Sequence, residues 1–530
     1  MAQVNISSPE NGGYLHYIIS PELYGYDWKL TLPTILSILS PVLASVFWAV
    51  WKHYSPSQRL VKGIPIVGGS ETLVRHRNRQ EFFEDSKNRL LEGYRQAKGG
   101  PFYIPTPLGE RLMIPPEMTE ELKAAPVDKV DFIAHFLEMF EGKYIDIGTR
   151  STLHPRTIKT QLTQNLPQMM DMVQDEIRDA FLETWPKCDD WTEVPVLPAI
   201  TPIVARASSF MLGGKTLSRS DEWVDVAISF TTAFFFGAKK LKELPSFVRP
   251  VAKYFIPEVQ QTVQHHRIAQ KLAVPLLKEY ANAEPTLENC NLLYWMKQDA
   301  KGYERDDKFI ASVLPKVTAA AIHTSAAAPA QLIFDLCAHP EYIPLIREEF
   351  KQQLDSAGKL RRNAFYKLRI MDSVMKESQR FNPPVLVSFQ RLVTEDWKLS
   401  SGFVIPAGTT IGVATHAQSM DPELYEDPEK FDGLRFFKLR ENAGLAEEGR
   451  QQFAFASPTN MVFGYGRHVC PGRFFAADVV KSIMTYLIEN YDMKFSEGQT
   501  RPESYGYQTT MIPHRTATVL FKRRKPKSSA

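Results

Sequence analysis

Residues 463–472 read FGYGRHVCPG and present one cysteine, Cys470, in surroundings suited to a thiolate. Gly464 and Gly466 allow a tight turn and a close approach of backbone to a flat ligand. Pro471 and Gly472 then open a helix whose pattern continues through RFFAADVVKSIMTYLI. A helix amino terminus favours negative charge, so a cysteine placed there is expected to have a lowered pKa and to serve as an anionic sulfur donor. The alternative is that Cys470 is one more small buried hydrophobe, as a lone cysteine usually is. The spacing of its neighbours decides between the two.

That spacing, F-x-x-G-x-[RH]-x-C-x-G, resembles the cysteine loop of the cytochrome P-450 haem-thiolate monooxygenases, with Phe463, Gly466, His468, Cys470 and Gly472 on the matching positions. The resemblance implies that Cys470 is the axial ligand of a haem b iron, its electron donation favouring O–O cleavage. It implies too that the Phe463 ring packs by the sulfur. His468 stands where most members carry an arginine that meets a haem propionate, and imidazole charge varies with pH. Arg467 beside it can share that task.

Outward from the loop, three segments agree with it. Glu377 and Arg380 form an E-x-x-R pair within FYKLRIMDSVMKESQR, where Leu368, Met371, Val374 and Met375 recur at helical spacing. By itself such a pair is as readily a solvated ion pair worth a few tenths of a kcal/mol. The family has this pair upstream of the cysteine, locked to a further arginine, and Arg435 in FDGLRF stands in the corresponding place. The implied Glu/Arg/Arg cluster is structural.

The alanine-rich run from Val313 to Pro340 is long enough to cross a domain as a helix, and it resembles the family's distal helix. Thr324 occupies the position of the proton-delivery hydroxyl, which in a locally widened helix can hold a water and pass protons toward the oxygen site. A hydroxyl bonded back to the preceding turn is the alternative. His323 replaces the family's acid and Ala321 its glycine. The imidazole can relay protons, though a lone histidine in an apolar helix is more often a satisfied core residue. Thirdly, PPVLVSFQRLVTEDWKLSSGFVIPAGTTI reads as strands and turns, and Arg391 within it is the candidate for a second propionate contact or an exposed strand arginine. Val385, Val387 and Phe389 line the pocket or fill core. HPRTIKTQLT at 154–163 is a candidate helix for bringing Arg156 or Lys159 to the haem edge.

The expected fold is mainly α-helical with small β-sheets near the entrance and after Pro383, the cytochrome P-450 architecture, preceded by one transmembrane helix. No long linker, low-complexity tract or repeat divides the 530 residues. Cys188, Cys290, Cys337 and Cys470 are too scattered for a disulfide framework or zinc site, and 63 basic against 60 acidic residues give no case for nucleic-acid binding. From Leu30 to Trp51 no residue is charged, and at about 1.5 Å per residue this run matches a hydrocarbon core about 30 Å thick. Trp28, Trp48 and Trp51 suit the two interfaces. Residues 1–29 are thus expected to form a lumenal terminus, 30–51 an anchor, 52–64 a basic linker and 65–530 the catalytic domain. Lys52, Arg59 and Lys62 put that domain in the cytoplasm, on the endoplasmic reticulum. Asn5, in Asn-Ile-Ser, is a candidate glycosylation site on the lumenal side. KRRKPK at 522–527 reads as a solvated tail.

The resemblance implies insertion of one O2 oxygen into a C–H bond of an apolar small molecule. The electrons come from NADPH through cytochrome P-450 reductase, with cytochrome b5 as a candidate second partner. No dinucleotide fingerprint occurs in the chain, so the nicotinamide belongs to the partner. AAIHTS and HVCPGRFFA look most like fungal members that tailor terpenoids or indole diterpenes. The run Phe234, Phe235, Phe236, with Phe230 before it, lines an apolar pocket or packs as core. A thiolate-haem isomerase or dehydratase and a haem-binding sensor are the rival classes, and neither needs reductase-coupled oxygenation.

Overall fold

The alanine-rich segment forms a 32-residue helix, Asp307–Ala338, about 48 Å long at 1.5 Å per residue. It starts at Asp307 rather than Val313 because the Asp306 carboxylate accepts from the Lys308 N–H at 3.2 Å and caps it. This computed structural model describes residues 59–69, 79, 81, 82, 84–106, 109–442 and 444–525, with 40, 41 and 43–45 before them. Contacts divide the chain into two units, 1–56 and 57–530. In the first, the described residues are helical and the Ser45 hydroxyl donates to the Pro41 carbonyl at 2.6 Å. Asn5, Trp28, Trp48, Trp51, most of the expected span 30–51 and the linker residues 52–58 lie outside the described residues.

The second unit is mainly helical. Its principal helices are α1 (Ser86–Gln96), α2 (Phe132–Met139), α3 (Thr163–Thr184), α4 (Val196–Ser218), α5 (Asp221–Lys242), α6 (Pro257–Tyr280), α7 (Asp307–Ala338), α8 (Arg369–Phe381), α9 (Arg435–Glu441) and α10 (Arg473–Asn490). Helix α7 runs through the middle and packs against α4, α5, α6, α8 and α10. With so many neighbours it needs no polar face, which is why its sequence is apolar all round. α4 and α7 are the described helices long and apolar enough to cross a membrane, and both are largely buried within the body.

Strands β1 (Phe102–Thr106), β2 (Gly109–Met113), β3 (Val130–Asp131), β5 (Ser388–Val393) and β8 (Thr410–Val413) form one sheet in the order β1-β2-β8-β5-β3, with only β2 and β8 parallel. The stretches expected near the entrance and after Pro383 therefore join in a single sheet. A second sheet has the order β4 (Thr192–Pro195), β12 (Thr518–Arg523), β9 (Tyr491–Lys494). β12 takes in Lys522 and Arg523, and Lys522 reaches Asp190 at 2.7 Å, so the start of the basic tail is part of this sheet's central strand and not a solvated tail. Two ribbons, β6 (Trp397–Lys398) with β7 (Val404–Ile405) and β10 (Tyr505–Tyr507) with β11 (Thr510–Ile512), complete the strands.

Helix α8 carries the E-x-x-R pair, and it is not solvated. Glu377 is 0% exposed and Arg380 4%. Arg380 grips the carboxylate with Nη2 and Nε at 2.8 and 2.9 Å, a bidentate fork, while its Nη1 donates to the carbonyls of Ser419 and Pro428, each at 2.7 Å. Arg435 at the start of α9 adds its Nε at 3.3 Å, and the Asp432 N–H donates at 3.0 Å. One buried carboxylate thus ties α8 to residues 419–435. Removing one partner of such a cluster strands buried charge at about 3–5 kcal/mol. Glu377→Ala should lower the thermal midpoint sharply or abolish folded protein, whereas exposed Glu429→Ala should leave the midpoint unmoved.

Candidate active site

The cysteine loop is held by its own backbone. The Gly464 N–H donates to the Met461 carbonyl at 2.8 Å, Val469 to Gly466 at 3.1 Å, and Cys470 to Phe463 at 2.7 Å, so Phe463 and Cys470 are clamped together. Gly464 and Gly466 lie at φ +74° and +69°, and a Cβ on Gly466 would come within 2.6 Å of the Lys123 Cβ. Gly472 is the N-cap of α10, and Arg473 Nη1 donates to the Cys470 carbonyl at 2.9 Å. Burial pushes the Cys470 thiol above its ordinary range, outweighing the Gly472 N–H and the Arg473 charge that pull it down. The helix start alone therefore does not make the thiolate. A coordinated metal does, since it deprotonates a thiol outright.

Beside the loop lies a buried cation with no counter-charge. Strand β5 breaks register between Ser388 and Arg391, and Phe389 sits at φ +54°, a left-handed conformation rare for an aromatic residue. The bulge turns Arg391 inward: it is 5% exposed, and its guanidinium lies 4.6 Å from the Phe389 ring centre and 5.0 Å from that of Phe132. Its Nη1 donates to the Gln390 carbonyl at 2.7 Å, and no carboxylate pairs with it among the described residues. Burial lowers its pKa to about 10. His468 packs on the same Phe132 ring at 5.0 Å, and its pKa falls to about 4 through burial and the charges of Arg391 and Arg467. The structure so brings His468, Arg467 and Arg391 together.

Two buried residues near this cluster escaped the sequence reading. Arg111 on β2 donates to Gln390 Oε1 at 2.6 Å, and His135 on α2 has a buried Nε2 without a partner. Arg111 lies in GERLM, which looks like an exposed strand, and one histidine in a short helix marks nothing. Arg156 instead donates to the Asp299 carbonyl at 3.2 Å, and Lys159 is exposed on a π-turn, Ile158–Leu162.

Across the site, Thr324 on α7 lines a cavity of about 60 Å³ with Ala327, Ala328, Leu332, Phe453 and Phe463. α7 and α10 both contribute to its walls, α10 through Ala476 and Val480. The Thr324 hydroxyl donates to the Ala320 carbonyl at 2.7 Å, and α7 stays a regular α-helix here, without the expected widening. Thr324 therefore both bonds back and faces the cavity. His323 points elsewhere, its Nε2 meeting the Ile228 carbonyl on α5 at 2.9 Å. Phe230 and Phe234 are buried in a cluster with Ile145 and Ile147, Phe235 is half-buried, and Phe236 is exposed.

The donor set suits a flat cofactor with an anionic edge: a cysteine clamped to Phe463 at the cavity walled by α7 and α10, and a buried guanidinium with no carboxylate partner among the described residues. The comparisons agree. The cytochrome P-450 family pattern matches residues 147–521, and the chain belongs to that family. It is an oxidoreductase, a monooxygenase of the haem-thiolate kind. Cytochrome P-450 monooxygenase braC of Annulohypoxylon truncatum is 32% identical over 509 residues, covering 93% of this chain and 99% of the relative. The monooxygenase olcJ of Penicillium canescens is 33% identical over 451 residues, 84% of each chain. The monooxygenase paxP of Penicillium paxilli is 31% identical over 449 residues, 83% of this chain and 86% of the relative.

Since Gly466 combines positive φ with the Lys123 Cβ in the space an added methyl would take, Gly466→Ala should lose about 1–3 kcal/mol. Thermal melts check this, with Gly444→Ala, where a Cβ meets nothing within 4 Å, as the neutral control.

Proposed function

We propose that this monooxygenase hydroxylates, or oxidises in successive steps, an apolar small molecule of terpenoid type in fungal secondary metabolism. The observation that carries the reading is the Cys470 loop beside the slot between α7 and α10, with Arg391 buried and unpaired at its side. When bound, the haem supplies the oxygen chemistry: one O2 atom enters the substrate and the other leaves as water, with two electrons from NADPH delivered through a reductase. The chain supplies the rest. Cys470, its backbone N–H held by the Phe463 carbonyl, would bind the haem iron through its sulfur. Arg391, His468 and Arg467 would hold the propionate edge. Thr324 offers a hydroxyl at the cavity face to hold a water and pass protons, while the apolar walls keep bulk water out.

The endoplasmic reticulum membrane, with the body in the cytoplasm, is the proposed location. The uncharged run 30–51 and the basic residues Lys52, Arg59 and Lys62 after it support this.

The decisive experiment is the carbon monoxide difference spectrum of reduced microsomes. Wild-type protein should give the strongly red-shifted Soret band of thiolate ligation, and Cys470→Ala should lose both the band and oxygenation. Retained oxygenation in that variant would sink the assignment, and substrate turnover without a reductase would move the chain to the isomerase class. Thr324→Ala should keep the haem spectrum while diverting most NADPH electrons to hydrogen peroxide. Coupling equal to wild type would remove Thr324 from proton delivery.

A further inference from the structure

His323 shares a stripe of α7 with Lys316 and Ala319, and this stripe lies against the helix pair α5–α6 rather than on the cavity face of Thr324. Four polar joints run along it. His323 Nε2 meets the Ile228 carbonyl of α5 at 2.9 Å. His265 Nε2 on α6 meets Ser229 Oγ on α5 at 3.1 Å. His266 Nε2, next along α6, meets the Asp146 carbonyl at 3.0 Å. Lys316 Nζ on α7 closes the series on the Asp146 carboxylate at 2.8 Å. The joints form a circuit: α7 to α5, α5 to α6, α6 to the segment at 146, and back to α7. Inside it lie Phe230, Phe234, Ile145, Ile147 and Ala319.

The hydrogen bonds also fix each ring. A carbonyl only accepts, so His323 and His266 carry their proton on Nε2. The Ser229 hydroxyl gives its own proton to the Asp225 carbonyl at 2.6 Å, so it accepts from His265, which carries its proton on Nε2 as well. Burial lowers the pKa of both His265 and His266, which suits neutral rings used as single donors.

We propose that His323 is a positioning residue: its Nε2–H fastens α5 to α7, completing this circuit and holding the α5–α6 roof in place beside the Thr324 face. The side chain at the position of the family's acid thus acts through a fixed Nε2–H donor. Glutamine places an amide N–H at nearly the same reach as Nε2 and cannot titrate, so it separates the two roles. Aspartate offers only an acceptor to the Ile228 carbonyl.

Hydrogen–deuterium exchange of the haem-loaded full chain, which needs no known substrate, tests this. In His323→Ala, amides of 225–236 should exchange about tenfold faster, the scale of one lost interhelical hydrogen bond. His323→Gln should stay within about twofold of wild type, and Ser229→Ala, which removes the neighbouring joint, should loosen the same peptides. Thr324→Ala should not. If His323→Ala fails to fold, the comparison rests on His323→Gln against His323→Asp, of which only the second should loosen α5. Unchanged α5 protection in His323→Ala or His323→Asp overturns the proposal. So does a glutamine variant that keeps its protection yet loses NADPH coupling as Thr324→Ala does, for that assigns the imidazole to proton relay. The exchange result does not depend on which substrate the enzyme takes.

Discussion

A charge buried in protein has to be answered by an opposite charge or by enough hydrogen bonds, and the two sides of this fold satisfy that demand differently. Behind the slot the demand is met internally. Glu377 receives Arg380, Arg435 and the Asp432 N–H, and Arg380 spends its remaining donors on two carbonyls. Beside the cysteine loop it is not: Arg391 is equally buried and has one backbone carbonyl and two aromatic faces. A satisfied cluster fixes structure, and an unsatisfied one is built to receive something. An acidic-edged cofactor would supply the carboxylate that Arg391 lacks among the described residues.

Helix α7 divides its labour along its length and around its circumference. Its carboxy-terminal half is pinned to α8 and the chain end: Ser378 and Arg501 both donate to Asp335, and Gln331 donates to Ser504 at 2.7 Å. Its middle carries the Thr324 hydroxyl on the cavity face and His323 on the face toward α5. An α-helix turns 100° per residue, so Thr324 and His323, adjacent in sequence, serve different surfaces. Adjacency along the chain is thus a poor guide to shared chemistry here.

The most legible parts of the sequence were those fixed by local backbone geometry. The two positive-φ glycines, the cysteine and the helix start lie within ten consecutive residues, so their spacing alone announces the loop. The E-x-x-R pair was legible as two residues three apart on one helix face, and its burial followed from the family resemblance that sets Arg435 beside it, whereas the carbonyls of Ser419 and Pro428 that Arg380 also reaches arrive from afar. Arg391 depended on a register break and a strained Phe389 that no propensity predicts. The thiol's raised pKa was misjudged because the sequence shows the helix start and hides the burial that outweighs it. His323 was ambiguous in principle: its partner is a backbone carbonyl 95 residues away, and every residue type supplies one.

That choice of partner has a structural consequence. A joint between a side chain and a main-chain carbonyl constrains only one of the two sequences, so Ile228 is free to vary with the shape of the pocket while the joint persists. The remaining joints have the same economy, since His266 also uses a carbonyl and Ser229 is a small side chain. The side chain at 228 can therefore change without loosening the fastening of α5 to α7. A scaffold fastened through main-chain carbonyls in this way holds its helices in place while the side chains around the joints change.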